Sequence, residues 1–394
     1  MQYRRFGRTE LAMPVFSCGG MRYQYKWQDL PQKDIPVDNQ ANLEAIIKRS
    51  LELGINHIET ARFYGTSEMQ LGRILPTLPR EKLIVQTKIA PSSHSKDFGE
   101  NFEKSLRYLG LEYVDLLGIH GINTPELLHD TVKPEGCLEL AKKWQQQGKV
   151  KHIGFSTHGD TDLIIETIKT NQFDYVNLHW YWINQENWRA VTEANRHDMG
   201  VFIISPANKG GLLYQPSPKL VKLCQPLSPV VFNNLFCLSH PEIHTLSVGA
   251  GQPSDFDEHI KTLSLLDQAD QLLPPIIERL EAEAKQVLGE KWLKTWRLGL
   301  PHHKDTPGNI NIPLILWLRN LALAYDMVEY GKMRYNLLGN GGHWFPGQKA
   351  DKLPEVDLKS CLVNSPYQQE IPQFLAETEV LLGGQEVKRL SQSS

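Results

Sequence analysis

Cysteine is scarce in this sequence, and long uninterrupted hydrophobic runs are missing. The chain has 394 residues and only five cysteines, which are odd in number, widely spaced and without a Cys-x-x-Cys pair. This usage excludes a disulfide-stabilised scaffold and favours a reducing, cytoplasmic location. The longest apolar tract, Ile312–Tyr325, is interrupted by Arg319 and Asn320. It is too short to cross a bilayer, so we expect no membrane partner.

The sequence also lacks a strong charge of either sign. Its 42 Lys and Arg nearly balance its 45 Asp and Glu, which gives a net charge of −3 and a pI of about 6.5. Such a chain has no general electrostatic attraction for nucleic acid, and we expect no nucleic-acid partner. The first residues lack the apolar core of a secretion signal.

Two common site signatures are absent. Residues 19–21 read Gly-Gly-Met after the first predicted barrel strand, which is not the G-x-G-x-x-G of an open doubly wound nucleotide-binding sheet. The pairs His302/His303 and His240/His244 have no carboxylate or cysteine at supporting spacing. We therefore expect no metal site.

What the chain does contain is an eightfold alternation of short apolar runs with amphipathic helix patterns, ending near residue 268. Near-continuous apolar strands that alternate with helices are typical of a parallel sheet covered by helices. Eight such units match a closed barrel better than an open sheet, so we predict an α/β fold, a (β/α)8 TIM barrel with an N-terminal β-hairpin in residues 2–11. The predicted barrel strands are 14–18, 55–58, 83–87, 113–119, 152–155, 175–178, 201–204 and 245–248.

The alternation stops after residue 268, and the rest of the chain follows a different pattern. Helical patterns at 271–288, 312–330 and 371–382 are separated by segments rich in Pro, Gly and Asn. We predict two domains, a barrel formed by residues 1–268 and a mainly α-helical C-terminal extension formed by residues 269–394.

Polar side chains stand at the carboxyl ends of three predicted strands, where a parallel barrel builds its active site. Glu59 and Tyr64 follow the second strand, Lys88 follows the third and His120 ends the fourth. A phenol has an ordinary pKa of about 10, which a neighbouring ammonium lowers. Together these four groups would protonate a carbonyl oxygen while a hydride arrives at its carbon.

Each of these residues also has a purely structural interpretation. Glu59 and Lys88 would form a buried ion pair, Tyr64 would be an ordinary turn tyrosine, and His120 would be a hydrogen-bonded core histidine. It is their occurrence together, at the ends of predicted strands, that favours a catalytic site.

The same segments, in this order, resemble the aldo/keto reductase superfamily. They are residues 54–72 (GINHIETARFYGTSEMQLG), 86–88 (QTK), 114–121 (VDLLGIHG) and 148–156 (GKVKHIGFS), within a resemblance that covers roughly residues 1–268. It implies an NADP(H)-dependent oxidoreductase that reduces small aldehydes or ketones to alcohols. The usual cofactor is NADPH, and the sequence does not exclude NADH. Tyr64 would be the general acid, Lys88 its pKa partner and His120 the residue that orients the carbonyl.

One member of this catalytic tetrad departs from the family pattern. Aspartate is usual where this chain has Glu59, which keeps the charge and adds a methylene group. We expect the salt bridge to Lys88 to persist with a shifted geometry and activity to be retained.

The resemblance also implies a set of cofactor-binding residues. Asn177 takes the place of the carboxamide that holds the nicotinamide amide, Ile204 stands where many members have an aromatic residue, and His259 replaces a customary asparagine. The implied cofactor-binding residues are Met21, Arg22, Ser156, Asn177, Ser205, Pro206, Lys209, Gly249, Gly251, Glu258 and His259.

The extension has a resemblance of its own. Residues 306–313 and 364–372 resemble the ends of two ferredoxin-like halves found in an iron–sulfur (4Fe-4S) branch of the same superfamily. A cubane cluster needs about four thiolates, whereas Cys361 is the only cysteine after Cys237. We therefore expect a degenerate ferredoxin-like extension without an iron–sulfur cluster.

Two questions stay open at this stage. Four aromatic residues either line a substrate pocket or pack against a loop, and the two interpretations have equal weight. They are Trp27, Trp180, Tyr181 and Trp182. The alternative to a reductase is a weakly active or inactive nicotinamide-nucleotide-binding redox sensor or interaction protein. An unrelated barrel hydrolase or isomerase is disfavoured, because no metal triad or phosphate-binding glycine loop is evident. Oligomeric state is not specified by the sequence.

Overall fold

The computed structural model describes residues 1–384, so the last ten residues of the predicted extension, 385–394, lie outside the described residues. A short antiparallel hairpin opens the chain, with β1 (Tyr3–Arg5) paired to β2 (Ala12–Pro14). The following strands close into a parallel barrel in sequence order, with the last strand paired to the first. They are β3 (Phe16–Gly19), β4 (His57–Glu59), β5 (Ile84–Ile89), β6 (Val114–His120), β7 (Val150–Ser156), β8 (Tyr175–Leu178), β9 (Gly200–Ile203) and β10 (Thr245–Gly249).

Helices follow the barrel strands, as an alternating pattern requires. They are α1 (Val37–Glu52), α2 (Ser67–Leu71), α3 (Ser95–Leu109), α4 (Pro125–Val132), α5 (Cys137–Gln146), α6 (Thr161–Lys169), α7 (Trp188–Arg196), α8 (Pro218–Cys224), α9 (Pro229–Leu238) and α10 (Asp255–Ile260). The predicted (β/α)8 TIM barrel with an N-terminal hairpin is confirmed, and the hairpin extends beyond the predicted residue 11 to Pro14.

The barrel core consists of the buried strands and the inner faces of the helices. In α3, for example, Phe98, Phe102 and Leu109 lie on the buried face, and the helix ends at Gly110, whose φ of 64° suits a residue without Cβ. Trp144 of α5 stacks on Phe102 with a ring-centroid distance of 4.1 Å. The apolar stripe found in the sequence is thus the surface that holds α3 and α5 together.

The C-terminal region is helical. It contains α11 (Ala269–Leu288), α12 (Glu290–Thr295), α13 (Ile312–Tyr325), α14 (Val328–Tyr335) and α15 (Ile371–Leu382). The single helix predicted over 312–330 is interrupted, because Asp326 adopts the left-handed conformation at φ 56° and ends α13. No helix within residues 1–384 is both long enough and apolar enough to span a bilayer.

The described chain divides into two compact units. Among the described residues, the first comprises Met1–Gly210 and Asn233–Asp267, and the second comprises Gly211–Phe232 and residues 268–384. Within the second unit, Lys219 lies 2.6 Å from Glu283, and Arg279 donates to the main-chain oxygen of Leu223 at 3.1 Å. The segment Gly211–Phe232 therefore packs with α11, although the sequence-based boundary placed it in the barrel domain. That boundary, after residue 268, stays a prediction about folding units.

Candidate active site

The four side chains predicted to be catalytic meet at the carboxyl ends of three neighbouring strands. Glu59 is the last residue of β4, Lys88 lies near the end of β5, and His120 is the last residue of β6. Tyr64 lies in the turn between β4 and α2. The buried Lys88 ammonium donates to the Glu59 carboxylate and, at 2.8 Å, to the main-chain oxygen of Thr60.

Tyr64 lies between the lysine and the histidine. The centroid of its ring is 4.9 Å from Nζ of Lys88 and 5.8 Å from the centroid of the His120 ring, with the two ring planes at 85°. Trp27 covers the tyrosine from another side, with its ring centroid 6.3 Å away. Three strands and one turn thus bring a phenol, an ammonium, a carboxylate and an imidazole to one location.

The electrostatics of this group differ from the sequence-based expectation in one respect. Burial, together with the charge of Glu59, raises the pKa of Tyr64 well above its ordinary value, although we expected Lys88 to lower it. Burial is the larger cause, because it penalises the charged phenolate, and the negative charge of Glu59 acts in the same direction. Tyr64 is therefore protonated at neutral pH, as a proton donor must be. Burial lowers the pKa of Lys88, while Glu59 opposes that shift.

Beneath the site the barrel interior is filled by a neutral hydrogen-bonded layer. Oγ of Ser17 and Nδ1 of His57 are 2.6 Å apart, Nε2 of His57 is 3.1 Å from Oε1 of Gln86, and the Gln86 amide donates to the Tyr175 hydroxyl at 3.3 Å. Burial and the charge of Lys88 lower the pKa of His57 to about 3. A neutral His57 donates from Nε2 to Gln86 and accepts from Ser17 at Nδ1.

The predicted cofactor-binding residues all lie on the carboxyl side of barrel strands, which is where such barrels bind ligands. Met21 and Arg22 follow β3, Ser156 ends β7, Asn177 lies in β8, Ser205, Pro206 and Lys209 follow β9, Gly249 ends β10, Gly251 follows it, and Glu258 and His259 lie in α10.

Asn177 has a position that suits an amide ligand. The strand register aligns His120 with Ser156 and Ser156 with Asn177, so the three residues form a row across β6, β7 and β8. Asn177 is fully buried, yet neither the oxygen nor the nitrogen of its side chain has a hydrogen-bond partner among the described residues. A buried, unsatisfied amide costs about 1–3 kcal/mol per group, and a carboxamide ligand would satisfy both atoms.

The segments after β3 and β10 are linked by Arg22. Its guanidinium donates to the main-chain oxygen of Gly249 at 2.6 Å and lies 3.5 Å from the carboxylate of Asp255. The same carboxylate accepts from the main-chain nitrogen of Gly251 at 2.8 Å. The segment that carries the predicted cofactor-binding residues Gly249 and Gly251 is therefore held by a cation and an anion of this chain.

Two further predicted positions in α10 differ in their accessibility. Glu258 lies at the surface and pairs with Lys261 at 2.5 Å. His259 is fully buried, its Nδ1 accepts from the Asn234 amide at 2.9 Å, and burial lowers its pKa to about 4. The role of both residues in cofactor binding stays a prediction.

The loop after β9 is constrained at several points. Ser205 has a φ of 55°, in the left-handed region, and its main-chain oxygen accepts from the nitrogen of Lys209 at 3.0 Å. The Asn233 amide donates to the oxygen of Pro206 at 3.2 Å. Lys209 is partly exposed in this loop.

Three of the four aromatic residues with two open interpretations have different surroundings in the structure. Trp27 packs against Tyr64, as described above. Trp180 is buried and stacks on Phe236 at 4.9 Å, which is core packing. Tyr181 is buried, and its hydroxyl donates to the main-chain oxygen of Ile204.

Sequence reasoning overlooked a pair of histidines at the same end of the barrel. His158 follows β7, His179 follows β8, and Nδ1 of His158 lies 2.7 Å from Nε2 of His179. The available signal was the alternation of side chains along a strand, since each histidine stands two residues after a predicted cofactor-binding residue, Ser156 or Asn177.

The positions of the metal-ligating side chains and of the cysteines bear on metal binding and on disulfide bonding. Within residues 1–384, no three His, Cys, Asp or Glu side chains lie close enough together to hold a metal ion. The five cysteines are not disulfide-bonded, and Cys361 is the only one of them that is not buried.

Comparison with known proteins adds evidence from sequence and from fold. The model of the aldo/keto reductase family matches residues 17–220, just over half of the chain. An aldo-keto reductase of Mycobacterium avium is 33% identical over 182 residues, covering 44% of this chain and 60% of the relative. A probable aldo-keto reductase of Glycine max is 28% identical over 214 residues, covering 51% of this chain and 57% of the relative. The aligned part of the chain thus spans less than two thirds of these relatives.

Solved structures share the barrel. An aldo-keto reductase of Bacillus halodurans superposes with a TM-score of 0.57 at 19% identity, covering 69% of this chain and 96% of that one. One from Klebsiella pneumoniae, solved in complex with NADPH, superposes with a TM-score of 0.54 at 18% identity, covering 70% and 95%. At such identities the superpositions show the fold alone, and the sequence match decides the family. The chain belongs to the aldo/keto reductase family of oxidoreductases.

Proposed function

We propose that this protein reduces an aldehyde or ketone to an alcohol, with NADPH as the hydride donor and Tyr64 as the general acid. The observation that carries the proposal is the convergence of Tyr64 with Lys88, Glu59 and His120 at the carboxyl end of the barrel. A small carbonyl compound is the substrate class that such a site accommodates.

Each member of the tetrad has a distinct task. Tyr64 holds a proton at neutral pH because burial raises its pKa, and it donates that proton to the carbonyl oxygen as negative charge develops there. Lys88 provides a buried positive charge 4.9 Å from the phenol ring, which stabilises the phenolate left after transfer. Glu59 keeps that ammonium charged and fixed, and His120 orients the carbonyl oxygen.

The residues present fit a nicotinamide cofactor. When bound, the cofactor supplies the hydride. The unsatisfied amide of Asn177 would hold the nicotinamide carboxamide, next to Ser156 in the same row. The loops after β9 and β10 would hold the rest of the dinucleotide, with Lys209 as the proposed phosphate contact and Arg22 near the nicotinamide ribose. NADPH is the proposed cofactor because the Klebsiella pneumoniae structure contains it, and NADH remains the alternative.

Residues 269–394 are proposed to be a degenerate ferredoxin-like extension. The support comes from its two matching motifs, each of which leads into a helix with isoleucine at the first position and proline at the second. These are Ile312-Pro313 in α13 and Ile371-Pro372 in α15. With Cys361 as its one cysteine, this extension is proposed to hold no iron–sulfur cluster. A reducing, cytoplasmic location remains part of the proposal.

The alternative is a nucleotide-binding redox sensor with little turnover. One observation in favour of this alternative is that glutamate replaces the usual tetrad aspartate. In the structure Glu59 makes the ion pair with Lys88 that the aspartate would make, so this motive loses its force.

The test replaces Tyr64 with phenylalanine. We expect Tyr64→Phe to lower kcat for a small aromatic aldehyde by about 10²–10⁴, the usual worth of a general acid, while NADPH binding stays near the wild-type level. Turnover is followed as NADPH consumption, and binding as quenching of protein fluorescence by the nucleotide. Tyr3→Phe, in the exposed hairpin strand β1, is the matched control and should behave as wild type. Undiminished turnover by Tyr64→Phe would refute the assignment.

A further inference from the structure

Lys88 belongs to a row of residues inside the barrel that contains two adjacent glycines. The strand register pairs Lys88 of β5 with Gly118 of β6. It also pairs Gly118 with Gly154 of β7, and Gly154 with Tyr175 of β8. All four residues lie within their strands, so residues in register present their side chains to the same face of the sheet. That face is the interior, because the buried Tyr175 hydroxyl accepts from the Gln86 amide of β5, which is not a neighbouring strand.

The two glycines leave a gap in this interior layer, and the side chains at the two ends of the row fill it. At Gly154, a Cβ would lie 2.5 Å from the Tyr175 ring. At Gly118, a Cβ would lie 2.9 Å from Cγ and 3.4 Å from Cδ of Lys88, and 3.5 Å from the Tyr175 hydroxyl. The stem of Lys88 and the phenol of Tyr175 therefore occupy the space that a side chain at position 118 would need.

The path of the lysine stem decides where its charge lies. The stem packs on Gly118 of β6, whereas the ammonium donates toward β4, on the other side of β5. Its acceptors there are the Glu59 carboxylate and, at 2.8 Å, the main-chain oxygen of Thr60. Cγ stands near the root of the side chain. It can move away from position 118 only through a change of χ1 or a shift of β5, and either one displaces the ammonium of Lys88.

We propose that Gly118 is a positioning residue of the catalytic site, because its missing side chain gives the Lys88 stem the path that brings the ammonium to Glu59. The inference rests on the proposed reductase function and adds to it a residue that acts only through Lys88. Gly118 itself has no side-chain group that could exchange a proton or bind a substrate. Tyr175 borders the same space and limits the positions that the stem can take.

The ionisable groups around the ammonium fix the sign of the pH effect that a displacement has. They are His57 and Glu59 of β4, Tyr64 of the following turn, Glu68 of α2, Tyr175 of β8 and, beyond Tyr64, His120 of β6. Burial lowers the pKa of Lys88, while Glu59 and Glu68 oppose that shift. Burial raises the pKa of Tyr64 well above its ordinary value, so Lys88 loses its proton before Tyr64 as the pH rises. An ammonium displaced from Glu59 loses its proton at a still lower pH.

The first test adds one methyl group to the interior, in Gly118→Ala. We expect kcat for benzaldehyde reduction to fall about tenfold, the equivalent of about 1.4 kcal/mol, while KM for the aldehyde and the affinity for NADPH stay near the wild-type values. The alkaline limb of the pH profile of kcat should move to lower pH, because Glu59 no longer holds the ammonium as closely.

Gly200→Ala in β9 is the matched control. A Cβ there would lie 2.6 Å from the Phe6 ring, whose atoms are its nearest neighbours. The substitution should therefore lower the stability to heat while keeping the wild-type kcat and alkaline limb. Both variants are assayed at a temperature at which thermal unfolding curves show them to be folded.

The second test adds no atoms to the interior. Tyr175→Leu removes the ring that fills the row, so the lysine stem can relax toward Gly154, and we expect the same fall in kcat and the same movement of the alkaline limb. Tyr175→Phe keeps the ring and loses only the hydroxyl that accepts from Gln86, so both readouts should stay close to the wild type. Recovery by the conservative substitution would identify the filled space, and not the hydrogen bond, as what holds the stem.

A crystal structure of Gly118→Ala gives a readout that needs no turnover. The Lys88 ammonium should no longer lie within hydrogen-bonding distance of the Thr60 oxygen, which is 2.8 Å away in the wild-type protein. The inference is overturned if the ammonium keeps both acceptors, or if kcat and the alkaline limb of Gly118→Ala and Tyr175→Leu match those of Gly200→Ala. Absence of turnover in the wild-type protein, with a displaced ammonium in Gly118→Ala, would overturn the reductase function and leave the positioning of Lys88 intact.

Discussion

At the scale of single residues, Arg62 ties three segments to the turn that carries Tyr64. Its buried guanidinium forms ion pairs with Glu68, in α2, and with Asp29, in the long loop after β3. Glu68 is fully buried and also accepts from the Thr87 hydroxyl at 2.6 Å. The guanidinium carbon lies 4.8 Å from the centroid of the Tyr108 ring. A planar, bidentate cation is needed to serve two carboxylates at once.

This arrangement leads to a prediction for stability. Arg62→Met leaves the fully buried carboxylate of Glu68 without its counter-charge, so we expect it to lower the unfolding free energy of the protein by about 3–5 kcal/mol. The measurement is urea denaturation followed by tryptophan fluorescence.

The double variant Arg62→Met/Glu68→Gln is the control for charge. The glutamine oxygen can still accept from Thr87, and neither substituted position then carries a buried charge, so most of the lost stability should return. If the double variant is as unstable as Arg62→Met, packing of the arginine accounts for the loss and the buried charge does not.

At the scale of elements, the loop after β3 lies directly on the turn that starts α2. The nitrogen of Thr66 donates to the oxygen of Lys26 at 2.9 Å, and the Thr66 hydroxyl accepts from the nitrogen of Tyr25 at 3.0 Å. Gly65, with a φ of 54°, permits the contact, because a Cβ there would lie 1.9 Å from the Lys26 oxygen and 2.5 Å from Cα of Trp27. The loop that places Trp27 against Tyr64 depends on that missing side chain.

Gly65→Ala tests this contact. We expect it to displace the loop, to lower kcat for aldehyde reduction by at least about tenfold, and to destabilise the protein by more than the 1–2 kcal/mol of left-handed strain alone. Thermal unfolding and NADPH consumption are the measurements.

Gly148→Ala is the matched control, because Gly148 has a φ of 76° and open space around its missing Cβ. It should show the strain and no loss of activity. Equal effects of the two substitutions would mean that backbone conformation, not the loop contact, is what Gly65 provides.

Deeply buried strands were predicted more accurately than a short or partly exposed helix. The strand at Tyr175–Leu178 was predicted to the residue and the other barrel strands within a few residues, because buried parallel strands read as apolar runs between turn residues. The helix α4 was missed, since its eight residues show too few turns for a clear period. The break at Asp326 was missed because aspartate only occasionally adopts the left-handed conformation that ends α13.

The residues of the candidate site could be predicted where they belong to sequence motifs. Tyr64, Lys88, Glu59 and His120 stand at strand ends and carry a family pattern. The contact between His158 and His179, 21 residues apart, and that between Arg62 and Asp29, 33 residues apart, depend on which loops meet at the barrel mouth. No periodic pattern in the sequence indicates contacts of this kind. The direction of the Tyr64 pKa also depended on burial, which the motif does not specify.

At the scale of the whole molecule, buried histidines make stability depend on pH. Burial lowers the pKa of His57 to about 3, of His244 to about 4 and of His259 to about 4. Below the ordinary pKa near 6.5, the unfolded chain binds protons that the folded chain does not. The stability contributed by these groups is therefore complete above pH 6.5 and is lost as the pH falls toward 4.

We expect the unfolding free energy to fall between pH 6 and pH 5 by about 1.4 kcal/mol for each of the three imidazoles. Urea denaturation at a series of pH values measures this slope. In His244→Asn the amide oxygen can still accept from the nitrogen of Val201, so the slope should decrease by one proton. His129→Asn should keep the full slope. A His244→Asn slope equal to that of the wild type would assign the effect to other groups.

The unsatisfied amide of Asn177 has a consequence for the protein as a whole. Any molecule that supplies one donor and one acceptor to this amide relieves the penalty of burying it unsatisfied, and mass action then adds stability as the concentration of that molecule rises. The lifetime of the folded chain against heat and proteolysis is thereby coupled to the supply of that molecule. If Asn177 holds the nicotinamide amide as proposed, the supply of cofactor would therefore set how long the folded protein survives.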